Sequence, residues 1–411
     1  MDELSEKVTF IHAADLHLDS PFLGLAKSPE KVYTNAQEST FIALNHLVNV
    51  AIEKDVDFVL LVGDIFDESI QSLKAHVKLR QAFEKLHNRN INVYMSYGNH
   101  DYVSGHTHQV TYPDNVFIFP SEQVTTFNYP DDTQPLATIY GFSYEQQHVT
   151  TRKVDQFQLQ NENIPLHIAT LHGSLSGEGG HQTYAPFSLT DLTKKPFDYW
   201  ALGHIHKRQI LHDSPPIVYP GNIQGRHHLE SGVKGCYYVE LSKTSYDLTF
   251  IPLNALQFAT IQLDVTSCET VFSLEKLLEQ PLAKMKDSPT PLLVKLHLTG
   301  NEQLYEWERY DYLTEMINLI NERYLLKNNW LYIYDVTTSI EQIDRSLVHN
   351  EHFFQALQSE FANESITPLL TQLYEHPQAR KYLHRLTEAD EKVIKQKAEQ
   401  LLMNELLRTK R

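Results

Sequence analysis

Five short polar clusters carry the chemistry-bearing side chains of this 411-residue chain. They are Asp15-Leu16-His17, Gly63-Asp64-Ile65-Phe66-Asp67, Gly98-Asn99-His100-Asp101, Leu171-His172-Gly173 and Gly203-His204-Ile205-His206. Together they offer carboxylates, an amide oxygen and imidazoles, the donors that hold hard or borderline divalent cations such as Mn, Fe or Zn. One carboxylate can bridge two such ions, and a pair about 3.5–4 Å apart can clamp the attacking and leaving oxygens of a phosphoryl transfer. A histidine outside the ligand set can hand a proton to the leaving alkoxide. Each residue alone also fits an ordinary role as helix cap, turn or core histidine. Five clusters at the ends of five apolar runs point to one joint site.

The runs are the elements that must position these side chains. Val8–Ile11 leads into Asp15, Val56–Val62 into Asp64, Ile91–Met95 into Asn99, Leu166–Leu171 into His172 and Tyr199–Leu202 into His204. All are short and rich in β-branched or aromatic residues, as buried strands are. Ligands of open α/β sheets sit beyond the carboxyl ends of strands, so five such ends converge on one place. Between the first two runs, Phe41, Leu44, Leu47, Val48, Ala51 and Ile52 recur at helical spacing after Glu38-Ser39-Thr40. That makes a βαβ unit with its helix packed on the sheet. A second helix is expected after Asp67-Glu68-Ser69, burying Leu73, Val77, Leu79, Phe83 and Leu86. Val116–Phe119 and Ala137–Tyr140 read as strands of a second sheet, with a turn at Tyr129–Asp132 between them, and 155–163 as a short helix. Gly235–Leu241 and Leu248–Leu253 read as a hairpin closing the layered α/β unit.

The order D-x-H, GD, GNHD, H, GH-x-H resembles the calcineurin-like metallophosphoesterases. The resemblance covers roughly the first two-thirds of the chain. It implies an α/β fold, a two-sheet metallophosphoesterase sandwich with flanking helices. It also implies that Asp15, His17 and His206 hold one metal, that Asn99, His172 and His204 hold the other, and that Asp64 bridges them. His100 becomes the unliganded acid, with Asp101 orienting it.

Within that superfamily, three substrate classes compete. Protein phosphatases carry GD-x-x-D-R-G and GNHE, whereas this chain reads Gly63-Asp64-Ile65-Phe66-Asp67-Glu68-Ser69 and Gly98-Asn99-His100-Asp101. Small-molecule phosphodiesterases remain an alternative. The opening Phe10-Ile11-His12-Ala13-Ala14-Asp15-Leu16-His17-Leu18-Asp19 and the run Gly63–Asp67 look like those of SbcD-type double-strand-break repair nucleases, most closely the YhaO-like branch. This resemblance implies DNA phosphodiester cleavage with two divalent ions, Mn(II) by expectation, a homodimer, and an SMC-like ATPase partner docked on C-terminal helices. A nuclease-like scaffold that holds an ATPase without cutting is the competing class. Relatives with a histidine at the place of Asp67 leave that residue's role open.

The organisation expected is a metallophosphoesterase domain over 1–257, a small α/β capping domain over 258–340 and a helical C-terminal region over 341–411. The capping domain reads as strand, helix, strand, helix, strand, with helices at Ser273–Gln280 and Arg309–Ile320. The tail carries a capping box at Thr387–Asp390. After it, Ile394, Ala398, Leu401, Leu402 and Leu406 form an apolar stripe. The stripe suits either packing on the chain itself or docking of a partner.

Charged residues make up 21% and apolar residues 41% of the chain, a globular composition. No apolar run approaches a membrane span, the start lacks secretory-signal features, and the two cysteines have no metal or redox spacing. A cytoplasmic location is the resulting expectation. The net charge of −17 is unusual for a protein that grips DNA alone. Bound cations or a basic partner would have to supply the missing positive surface.

Overall fold

A computed structural model describes residues 7–67, 71–105, 110–176, 184–285 and 288–340, and beyond them 359, 365–375, 387, 390–395 and 398. The chain divides into two compact units, Met1–Ile340 and Glu341–Arg411.

The first unit contains two six-stranded sheets. In one, β1 (Lys7–Ala13), β2 (Phe58–Val62), β3 (Asn92–Ser96) and β4 (Val116–Ile118) run parallel, and the hairpin β11 (Gly235–Ser242) and β12 (Tyr246–Pro252) adds to β1 antiparallel. In the other, the order is β5 (Thr125–Tyr129), β6 (Ala137–Gly141), β7 (Leu166–His172), β8 (Tyr199–Gly203), β10 (Pro216–Tyr219) and β9 (Gln209–Asp213). β6, β7, β8 and β10 are mutually parallel. Every residue of β2 is buried, which is why its sequence is the unbroken apolar run FVLLV rather than an alternating one. Alternate residues still face opposite ways. Phe10, Phe58 and Leu60 pack against Ile139, Ile168 and Tyr199 of the facing sheet. Ile11, Val59 and Leu61 pack under the helices α1 (Glu30–Glu53) and α2 (Leu73–His87). His12 links the two sheets, its ring nitrogens lying 3.0 Å from Tyr199 Oη and 3.1 Å from the Leu202 carbonyl. The outer face of the second sheet is covered by Phe142, Phe157, Phe197 and the short helix α3 (Leu189–Thr193).

Several sequence expectations are corrected. β4 belongs to the first sheet, beside β3, and not to the second. The turn near Pro130 joins β6 to β5, a half-buried strand with no alternating apolar signature. α1 begins at Glu30, directly after Pro29, because Val32 and Ala36 extend the buried stripe toward the N-terminus. α2 is capped by Ser72, whose hydroxyl accepts from Ala75 N–H at 3.1 Å. Leu79, Phe83 and Leu86 are buried as expected and are joined by Ala75, His76 and Ala82, whereas Leu73 is 63% exposed. Glu68 and Ser69 lie outside the described residues. The polar stretch 155–163 yields only a 3-10 turn at Lys153–Gln156.

A third sheet follows, with β13 (Gln257–Asp264), β14 (Leu292–Gly300) and β15 (Leu331–Ile340) all parallel. Its crossovers are α4 (Val271–Met285) and the pair α5 (Glu302–Arg309) and α6 (Tyr312–Leu325). The helix expected at 309–320 is α6, which starts at Tyr312 after Asp311 takes a left-handed φ of 59°, and α5 is a further helix before it, not expected from the sequence. Phe258 and Leu293 of this sheet, with Trp330 just before β15, pack on Phe22, Leu25, Val32 and Ala36 of the first layer.

The second unit contains a helix at Thr367–Glu375. Thr387 and Asp390 form the capping box read from the sequence. Thr387 N–H donates to Asp390 Oδ2 at 3.0 Å, and Asp390 N–H to Thr387 Oγ1 at 3.2 Å. Of the apolar stripe beyond it, Leu401, Leu402 and Leu406 lie outside the described residues. Among the described residues, no helix is long and apolar enough to cross a membrane.

Candidate metal centre

The carboxyl ends of β1, β2 and β3 meet those of β7 and β8 at one edge of the sandwich, and the seven expected ligands lie there. Asp15, His17, Asp64 and His206 form one group and Asp64, His172 and His204 a second, with ligand atoms within 4.8 Å of one another in each. Asp64 belongs to both. Asn99 joins the second group, its Oδ1 lying 3.1 Å from His172 Nε2 and 3.1 Å from His204 Nδ1.

The local backbone is bent to achieve this. Asp15, His17, Asp64 and His204 all have positive φ, at 52°, 42°, 49° and 97°. Non-glycine residues rarely adopt this region, at a cost of about 1–3 kcal/mol each, and such strain gathers at functional sites. The turns are pinned together, with Asp15 N–H donating to the Gly63 carbonyl at 3.2 Å and His17 N–H to the Asp64 carbonyl at 3.0 Å. Asp15 accepts in turn from His204 N–H at 3.0 Å.

The hydrogen bonds around the imidazoles determine which nitrogens face inward. His172 Nδ1–H donates to the Val62 carbonyl at 3.1 Å. His206 Nδ1–H donates to Glu230 Oε1 at 2.6 Å. His17 Nδ1 lies 3.3 Å from Asp67 Oδ1, close enough for charge interaction but without hydrogen-bond geometry. The rings of His172, His206 and His17 all turn Nε2 to the centre. His17 Nε2 and His206 Nε2 face each other at 3.0 Å, and His172 Nε2 faces the Asn99 oxygen. Acceptors aimed at acceptors repel unless a proton or a cation lies between them, so this donor set fits divalent cations.

The electrostatics agree. Burial pushes Asp15 up, as does neighbouring Asp64, against the pull of His206 and His172. Burial would also raise Asp64, but His172, His17 and His100 hold it well below the usual carboxylate range. His172 shows the converse: burial lowers it, yet Asp64 and Asp15 bring it to about 9. Burial takes His17 and His204 down to about 3, keeping both neutral.

His100 stands beside the ligands rather than among them. Its N–H donates to Asp64 Oδ1 at 3.0 Å and its Nδ1–H to the Asp67 carbonyl at 2.8 Å. One contact that orients the ring thus comes from the Asp67 carbonyl. Asp101, expected in that role, accepts from the backbone N–H groups of Gly98 (2.7 Å), Ile65 (2.6 Å) and Phe66 (3.2 Å). It locks the two turns that carry Asp64 and His100. Burial and Asp64 raise its carboxyl to about 7.

Three further residues lacked a motif to announce them. Glu230 also accepts from Asn222 Nδ2 at 2.8 Å and Arg226 N–H at 2.7 Å. Arg226 pairs with the carboxylate of Asp67 and lies 3.6 Å from Glu230. Lys234 Nζ donates to the His206 carbonyl at 2.9 Å. Together, Asp67, Arg226, Glu230, His206 and His17 close a polar ring around one group of ligands. The only sequence signal was charge within an irregular stretch, which is indistinct without coordinates. Residues 177–180 of the glycine-rich loop after His172 lie outside the described residues.

Comparison with known proteins places this geometry in a family. Over 402 residues the chain is 35% identical to YhaO of Bacillus subtilis, described as an uncharacterized metallophosphoesterase, covering 97% of this chain and 98% of the relative. It is 26% identical over 253 residues to the DNA double-strand break repair protein Mre11 of Methanocaldococcus jannaschii, covering 59% of this chain and 65% of that one. The Mre11 protein of Thermoplasma acidophilum is 24% identical over 317 residues, 71% of this chain and 77% of the relative. The model of the calcineurin-like phosphoesterases matches residues 8–208, a span that holds all seven expected ligands and His100, and the chain belongs to that family of metal-dependent phosphoester hydrolases.

Proposed function

We propose that the chain hydrolyses DNA phosphodiesters with two divalent cations, Mn(II) in the working enzyme. The observation that carries this reading is Asp64, a single carboxylate shared by both groups of donors. Asp15, His17 and His206 would hold one ion, Asn99, His172 and His204 the other, and Asp64 would bridge them. When bound, such a pair activates water and neutralises charge on the phosphate. His100 lies outside the ligand set, and its Nδ1 is engaged by the Asp67 carbonyl. Its Nε2 is thereby left to carry a proton to the leaving oxygen. Asp101 keeps Asp64 and His100 in register through the backbone.

DNA as substrate draws support from the Mre11 relatives, whose name states double-strand break repair. The same reading makes 1–257 the catalytic domain, 258–340 a cap restricting which substrates enter, and 341–411 the dock for an SMC-like ATPase on a cytoplasmic homodimer. The net charge of −17 favours a partner that supplies basic surface.

The test is cleavage of linear duplex and single-stranded DNA with Mn(II), Mg(II) or chelator, beside small phosphodiester and monoester substrates. Metal-dependent DNA cleavage is expected. Turnover of the small diester with no DNA cut by the chain, alone or with its ATPase, would overturn DNA as the substrate. A chain ending at Asn350 should still cleave DNA while losing the ATPase, and retained ATPase binding would remove the docking role of the tail.

A further inference from the structure

Beside the metal centre, at the seam between the first layer and the third sheet, lies a cavity of about 320 Å³. That is within the range of small-molecule sites, roughly 300–1,000 Å³. Asp67 and Arg226 form one wall, the loop from Pro21 to Leu25 another, and Phe258 with Tyr334 a third. Asp67 Oδ1 is 3.3 Å from His17 Nδ1, so the cavity and the candidate metal centre share Asp67 as a wall.

Two buried donors in this lining, Tyr334 Oη and Arg226 Nε, have no hydrogen-bond partner. Buried polar atoms are nearly always paired, so each such orphan needs an explanation. Arg226 Nε can only donate, and its missing partner is therefore an acceptor. The rest of the lining suits a flat ring. Phe258 and Tyr334 stand edge to face, with centroids 5.8 Å apart at 87°. Phe22 closes the space from a left-handed backbone conformation, φ 46° and ψ 44°. A second cavity, about 200 Å³, shares Pro21 and Asp67 with the first and is lined by Gln71. Gln71 is 3% exposed, and both of its amide atoms also lack partners. Polar groups without partners thus lie on both sides of Asp67.

We propose that the larger cavity receives the nucleobase attached to the nucleotide next to the reacting phosphate. A nucleobase is planar, carries acceptors along its edge for Tyr334 and Arg226, and is tethered to a phosphate within reach of the metal centre. A bare phosphate would not use the aromatic walls, and a purely apolar ligand would leave both donors unpaired. The inference rests on the phosphodiesterase reading for the kind of ligand, and on the cavity for its place. It assigns Phe258 and Tyr334 of the third sheet a direct part in substrate binding.

The test is calorimetric binding to the full chain in chelator, where nothing is turned over. The probes are deoxythymidine 5′-monophosphate, deoxyadenosine 5′-monophosphate and deoxyribose 5-phosphate. Each nucleotide should bind about tenfold more tightly than the base-free sugar phosphate, the scale of base–aromatic stacking. Tyr334→Phe, which removes only the hydroxyl, should reduce that gain severalfold. Gly24→Trp should abolish it, because Gly24 lines the cavity and a Cβ built there meets nothing within 4 Å. Equal binding of all three probes, no binding of either nucleotide, or a gain that survives Gly24→Trp overturns the proposal. Base-dependent binding by a chain that cleaves no phosphodiester would keep the cavity and remove the phosphodiesterase reading. Phosphodiester cleavage without base-dependent binding would do the reverse.

Discussion

Glu230 Oε1 lies 2.6 Å from His206 Nδ1, and that contact decides which nitrogen His206 offers to the metal centre. A carboxylate behind a ligating imidazole fixes its tautomer and makes the other nitrogen a better donor. Glu230 is 6% exposed and is also within 3.6 Å of Arg226. Removing its charge leaves Arg226 and His206 without their shared anion. Glu230→Gln should weaken binding at the His17/His206 group about tenfold, and Glu230→Ala about a hundredfold. The other group should keep its ion. Metal stoichiometry by elemental analysis should fall from two toward one. Two ions retained in Glu230→Ala would show that the ring is not needed for loading.

Metal binding should release protons. In the metal-free protein the Asp64–His172 pair lies 3.4 Å apart and His172 is raised to about 9, so it is protonated at pH 7.5. A cation can bind Nε2 only after that proton leaves. Calorimetric titrations with Mn(II) in two buffers of different ionisation enthalpy should give different apparent heats. Equal heats would contradict a protonated His172. The sign of the stability effect also follows. The raised imidazole contributes stability that is fully present below its ordinary value of 6.5 and lost as pH rises through about 9. The chelated protein should therefore unfold at lower temperature at pH 9 than at pH 6, and His172→Gln should flatten that slope.

Gly98 packs directly against two of the expected ligands, Asp64 and His172. A Cβ there would collide with Asp64 Oδ1 and lie 2.7 Å from His172 Nε2. Neither side chain can retreat, since Asp64 is tied to His100 N–H and His172 to Val62. Gly98→Ala should therefore lose both ions while the two sheets still fold. Circular dichroism close to the parent's, together with less than one bound metal, is the expected result. Full metal loading would mean that the turn yields more easily than this packing allows.

What was legible in the sequence was whatever the strand ends carry. β1, β2, β3, β7 and β8 each combine a buried run with a ligand at the carboxyl end, so period and motif point to the same residues. β4 and β5 were misplaced or missed because all their residues are half-buried, which leaves no alternation to read. Pairing partners are also a tertiary fact, and nothing local in Val116–Ile118 says which sheet it joins. Arg226 and Lys234 sit in irregular backbone and Glu230 in a short 3-10 turn, and all three act on residues at least twenty positions away. No spacing rule reaches that far. Asp101 shows a subtler limit, since its motif marked it as important while its hydrogen bonds to the N–H groups of Ile65 and Phe66, in a different turn, are a tertiary fact.

His100 separates chemistry from metal loading. It touches Asp64 through its own backbone N–H, which any residue supplies, while its ring contacts the Asp67 carbonyl and lies edge-on to His17 with centroids 4.9 Å apart. Truncating the ring therefore leaves the Asp64 contact intact and removes only the proton carrier. His100→Ala should bind two metal ions as the parent does and lose about 10²–10⁴-fold in kcat on phosphodiesters, the usual worth of a positioned general acid. The loss should be smaller for a substrate whose leaving group is a weak base, such as a p-nitrophenyl ester, because that oxygen departs without a proton. An equal loss on DNA and on the activated ester would argue that His100 holds substrate rather than protonating it. Loss of a metal ion from His100→Ala would instead place the ring in the ligand set.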